Sequence, residues 1–115
     1  MTALLLAALI AVESSGNPAA IGDNGDALGI LQIHACVVID VNRIAKTNYT
    51  HRDAFDPEKA REMCRIYLEH YVTERRLGRP PTMADYARVW NGGPNGYRKP
   101  ATAKYWEKVR SHLEP

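Results

Sequence analysis

Ten residues near the start of the chain, Ala3 to Val12, are apolar without a break and run straight into Glu13-Ser14-Ser15-Gly16-Asn17-Pro18. Such a run is too short to span a bilayer, which takes about 20 apolar residues. It also has no basic flank and no small-residue cleavage site, so it does not read as an export signal. The remaining reading is a core helix, apolar nearly all round, from Thr2 to about Ser14. Gly16 and Asn17-Pro18 end it, because a proline pushes its predecessor out of helical backbone. A carboxyl group, Glu13, therefore stands where a buried helix meets a loop.

Local signals place the other elements. Residues 19–28 form a turn-rich loop, and Asp23-Asn24-Gly25-Asp26 suits the tip of a small hairpin. The spacing of Val37, Val41, Ile44 and Ala45 predicts a second helix from His34 to Ala45. After a polar connection from Thr47 to Phe55, Asp56-Pro57-Glu58 opens a third helix as N-cap, first-turn proline and first-turn acid. Its apolar stripe is Ala60, Met63, Cys64, Tyr67, Leu68 and Tyr71. Gly78 to Pro81 is a loop, and Thr82 with Asp85 forms a capping-box pair for a fourth helix that stops at Asn91-Gly92-Gly93-Pro94. Lys99 to Ala101 leads into a last helix carrying Tyr105, Trp106, Val109 and Leu113. The expectation is a mainly α (α+β) fold: helices packed around a central buried helix, with one long loop or small hairpin.

At 115 residues the chain suits a single domain, 1–115, and at 45% hydrophobic and 24% charged it has ordinary globular usage. The net charge of +2 is too mild to argue for nucleic-acid binding, yet it does not oppose an anionic polymer. Nothing calls for stable membrane insertion or for more than a monomer. Cys36 and Cys64 both sit in apolar helical patterns and read as buried free thiols. The four histidines have no metal-ligand spacing with them, so neither metal nor cofactor is expected.

Glu13 is the first candidate for chemistry. Partial burial favours the neutral carboxylic acid, and a protonated carboxyl can protonate the leaving oxygen of a glycosidic bond. Asp23 and Asp26 lie in the loop that follows. Either can brace the turn through its own backbone. Asp23 is the better placed to act as a second carboxylate, and Asp26 the better placed to hold the turn.

Glu13-Ser14, then Gly29-Ile30-Leu31-Gln32-Ile33, then Trp90-Asn91-Gly92-Gly93, then Tyr105 resemble, in order and spacing, the soluble lytic transglycosylase family of the lysozyme superfamily. The family pattern is Glu-Ser, Gly-Leu-Met-Gln, Ala-Tyr-Asn-x-Gly and a late tyrosine. Leu31 stands where Met is usual, Val89-Trp90 replace Ala-Tyr, and Ala60 and Cys64 replace an Asn and a Gly. Trp90 keeps an aromatic face but lacks the phenol hydroxyl. The resemblance implies a lysozyme-like domain acting on peptidoglycan glycan strands at a bacterial or phage-attacked wall. It implies Glu13 as acid and then base, with Ser14, Gln32, Trp90, Asn91 and Tyr105 on the substrate. It further implies cleavage between N-acetylmuramic acid and N-acetylglucosamine, with an internal hydroxyl attacking to give a 1,6-anhydro product. The Gly22-Asp23-Asn24-Gly25 stretch also resembles goose-type lysozymes, in which an aspartate in a similar loop assists an attacking water. A hydrolase using Asp23 is therefore the first alternative, and a non-catalytic wall-binding or assembly module the second.

Overall fold

The computed structural model describes residues 1–114. Its elements are α1 (Ala3–Ser14), a two-residue hairpin of β1 (Ile21–Gly22) and β2 (Ala27–Leu28), α2 (Ala35–Ala45), α3 (Pro57–Tyr71), α4 (Glu74–Leu77), α5 (Met83–Gly92) and α6 (Ala103–Ser111). The chain is thus mostly helical with a minimal sheet. Two compact units make it up: Ile10–Tyr67, and Met1–Leu9 together with the chain from Leu68 onward.

In the unit of Ile10–Tyr67, the hairpin pairs Ile21 with Leu28 and Gly22 with Ala27 in antiparallel register. Its turn runs through Asp23, Asn24 and Gly25 at φ 47°, 54° and 94°. Asn and Asp tolerate this left-handed backbone better than most side chains, and Gly adopts it freely. Gly29, at φ 78°, has no alternative, because a Cβ there would run into the backbone carbonyl of Ala54. The 3-10 segment His51–Phe55 thereby closes against the loop, and its own start is held by a Thr50–Asp53 capping box.

Helix α2 starts one residue later than its hydrophobic spacing implies. His34 is extended, at φ −83° and ψ 155°, and the buried face is Val38 and Val41. Cys36 is exposed, against the expectation of two buried thiols; Cys64 is buried, and both are free. Helix α3 follows its sequence signals, with Asp56 Oδ1 accepting from the N–H groups of Glu58 (2.9 Å) and Lys59 (3.1 Å). Ala60, Met63 and Cys64 are fully buried along one stripe, as the 3.6-residue period requires.

In the other unit, the Thr2 hydroxyl oxygen caps α1 by accepting from the Leu5 N–H. Leu5, Leu6, Ala8 and Leu9 are buried, whereas Leu4 is 76% exposed. The short helix α4 is capped by Thr73, which accepts from Arg76 N–H, and closed by Gly78 at φ 78°. Asp85 anchors α5. It is 2% exposed, accepts from the Thr82 N–H at 2.7 Å and takes both arms of the Arg79 guanidinium at 2.7 Å each. At the far end of α5, the Thr102 hydroxyl accepts from Arg88 Nε (2.8 Å) and lies 2.7 Å from the Gly96 carbonyl.

Burial by itself would raise the Asp85 carboxyl, but the Arg79 and Thr82 hydrogen bonds outweigh it and hold the group below its usual range. A depressed carboxyl stabilises the fold above the unfolded value near 4 and loses that contribution as pH falls through the folded value. Asp85→Ala is expected to cost about 2–4 kcal/mol at neutral pH, and chemical denaturation across pH 2–6 should show wild type losing its advantage over the variant toward the acid end. Gly29→Ala is expected to cost at least about 2 kcal/mol, since it combines left-handed backbone with a collision; the same denaturation midpoints measure it.

Candidate active site

Glu13 occupies the last turn of α1 and is half-buried. The backbone turns sharply after it, with Ser15 at φ 54° and Gly16 at φ 82°. Ser14 secures this end. Its hydroxyl donates to the Ile30 carbonyl at 2.8 Å and accepts from the Gly16 N–H at 3.1 Å. The terminus of α1 and the loop that follows the hairpin are therefore stitched together. Helix α3 brings Cys64 into the surroundings of Glu13. Burial pushes the Cys64 thiol well above its ordinary range, and the Glu13 carboxylate adds to the effect. The thiol is neutral at physiological pH, so α3 presents Glu13 with an apolar neighbour.

Gln32 sits at φ 51° in a tight turn. Its Nε2 donates to the Ala20 carbonyl (3.2 Å) and the Gly29 carbonyl (3.0 Å). Both amide hydrogens are spent on the loop, which leaves Oε1 as the group able to meet a ligand. Gly22 lets that oxygen come close, because a Cβ at Gly22 would overlap it.

The two loop aspartates differ in what they keep free. Asp26 uses both oxygens: Oδ1 accepts from the Ala35 N–H at 3.3 Å and Oδ2 lies 2.9 Å from His34 Nδ1. Asp23 meets His34 Nε2 at 2.9 Å through Oδ2, and its Oδ1 has no partner among the described residues. Asp26 thus braces the turn, as its position implies, while Asp23 bonds a side chain rather than its own backbone. His34 is the residue that sequence reasoning passed over. The available signal was a histidine directly ahead of a helix that follows a turn with two acids.

Trp90, Asn91 and Tyr105 belong to the other unit. Trp90 is half-buried and Asn91 exposed in the last turn of α5; Tyr105 is half-buried on α6. Asn91-Gly92-Gly93 does serve as a helix end: Gly93, at φ 87°, gives its N–H to the Val89 carbonyl. The following turn is tied down from two sides. Lys99 Nζ donates to the Gly92 carbonyl at 2.6 Å, and Arg76 reaches the Pro94 carbonyl (2.9 Å) and Asn95 Oδ1 (3.2 Å). No group of three or more metal-ligating side chains is found among the described residues. No helix among them is long and apolar enough to cross a membrane.

Comparison with known proteins places these features. Residues 2–112 match the family model described as the transglycosylase SLT domain. A lysozyme of Magallana gigas is 47% identical over 45 residues, covering 39% of this chain and 31% of the relative. A lysozyme of Ostrea edulis is 32% identical over 83 residues, covering 72% of this chain and 58% of the relative. The chain thus spans from about a third to somewhat over half the length of the curated relatives it matches. Among solved structures, that of Tapes japonica lysozyme superimposes with a TM-score of 0.79 at 25% identity, covering 95% of this chain and 88% of that one. A chain in the complex of Aeromonas hydrophila PliI with Meretrix lusoria lysozyme gives a TM-score of 0.82 at 23% identity, covering 96% and 89%. With a family model matched over nearly its whole length and a fold shared with lysozymes, the chain belongs to the transglycosylase SLT domain family of lysozyme-like proteins.

Proposed function

We propose that the protein cleaves peptidoglycan glycan strands by hydrolysis, with Glu13 as general acid and Asp23 as the second carboxylate. The observation that carries this reading is the contrast between the loop aspartates. Asp26 is consumed by the fold, whereas Asp23 is held by a histidine with one oxygen left for a water molecule. In this scheme the proton of Glu13 passes to the leaving glycosidic oxygen. A water attacks the anomeric carbon and gives its proton to Asp23, while Glu13 is left ionised. Ser14 and Gln32 act chiefly by holding the loop, with Gln32 Oε1 proposed to meet the sugar; in the other unit, Trp90, Asn91 and Tyr105 are proposed as glycan-binding residues. The lysozyme names of the oyster relatives agree with this chemistry. The setting proposed for the activity is the bacterial cell wall.

The family name favours a second reading. There, the 6-hydroxyl of the muramic residue replaces water, its proton goes to Glu13 acting as base, and the product ends in an anhydro sugar. That route needs no second carboxylate.

Glu13→Gln should keep the fold and abolish cleavage of purified peptidoglycan, because an amide has no acidic proton to give. Near-normal turbidity clearing by that variant would remove Glu13 from the mechanism. Asp23→Asn should lower the rate by roughly a hundredfold or more if Asp23 activates water; a loss of less than about twofold would favour the internal-hydroxyl route. Trp90→Ala should weaken binding of chitooligosaccharides in calorimetry while leaving the melting temperature nearly unchanged. The opposite pattern would make Trp90 a packing residue.

A further inference from the structure

His34 stands between two carboxylates: Nε2 hydrogen-bonds Asp23 Oδ2 at 2.9 Å, and Nδ1 faces Asp26 Oδ2 at 2.9 Å. A neutral imidazole carries one N–H, so its other nitrogen would set a lone pair against a carboxylate. A protonated ring offers an N–H to each carboxylate. Its location matters as much as its charge. Asp23 directly follows β1, Asp26 directly precedes β2, and His34 directly precedes α2. The ring thus spans both ends of a turn whose residues Asp23 and Asn24 hold left-handed backbone at φ 47° and 54°. Such non-glycine conformations persist only where surrounding contacts enforce them.

We infer that His34 is a positioning residue for Asp23: its imidazolium clasps the two aspartates and holds the turn that carries Asp23. The inference rests on the hydrolytic reading proposed above. Other charged groups nearby have their own engagements. His51, in the 3-10 segment, bonds the Ile33 carbonyl at 2.7 Å, and Asp53 in the same segment pairs with Lys59 at 3.4 Å. The first turn of α2 holds no acidic residue. The acids facing the ring are therefore Asp23 and Asp26. Exposed ion pairs add little to global stability, so the clasp acts on loop geometry and not on the melting temperature.

His34→Gln, whose amide can donate to one carboxylate at a time, should be roughly tenfold slower than wild type. His34→Arg, a cation with several donors, should keep the wild-type rate. In nitrogen-15 spectra of the full chain, the Asn24 and Gly25 amides should stay near their wild-type positions in His34→Arg and move in His34→Gln. Product mass is read in the same reactions. Reducing-end products released by His34→Gln at the wild-type rate would overturn the clasp and spare the hydrolytic reading. Anhydro products with Asp23→Asn fully active would overturn that reading and the inference with it.

Discussion

The hydroxyl of Ser14 joins the end of α1 to the backbone of Ile30 across 2.8 Å, and the chemistry proposed for this protein depends on that join. Glu13 is the residue before Ser14, so whatever fixes Ser14 fixes the carboxyl beside it. The partner carbonyl belongs to a buried residue, flanked by Leu31 and Ile33, which are fully buried. A buried carbonyl without a partner is costly, so the bond is retained for the fold as well as for the site. From Ile30 the constraint passes backward through Gly29, whose N–H donates to Ala20 at 2.8 Å. It passes forward through Gln32, whose amide holds Ala20 and Gly29 together. The hairpin with Asp23 lies inside that span. One hydroxyl, one glycine and one amide thus set the frame in which an acid and a second carboxylate are displayed.

Two kinds of environment are built from this frame. Glu13 is half-buried and has a neutral, buried thiol near it, contributed by α3. Asp23 lies at a solvent-facing turn, its side chain 69% exposed, with His34 Nε2 2.9 Å away. The acid and base roles proposed for the two carboxyl groups call for such a division between a half-buried and an exposed position.

Where the determinant was local, the sequence could be read directly. Asp56-Pro57 starts α3 and Thr82 with Asp85 starts α5 because a cap needs only residues three apart. The hairpin at Asp23–Asp26 was legible for the same reason, since turn chemistry resides in the turn. The buried face of α2 was not, because Val37 and Val38 each fit a helical period with Val41 and packing selects Val38, with Cys36 left exposed. The four-residue α4 is too short to show a period, although Thr73 and Gly78 mark its ends. At the site, Glu13 and Asp23 stand out by type and place. The role of His34 does not, since it exists only after a left-handed turn has brought two acids to one ring. The amide of Gln32 looks like a ligand group in sequence, and folding directs its hydrogens into the loop.

The central claim is that a water, placed by Asp23, attacks the bond that Glu13 protonates. Cleavage of purified peptidoglycan in water enriched with oxygen-18 addresses it directly. Hydrolysis by this pair of carboxylates predicts one oxygen-18 atom at every new reducing end, read by mass spectrometry of the released glycans. Release of unlabelled anhydro ends at the full wild-type rate would contradict it, because no water would then have reached the anomeric carbon.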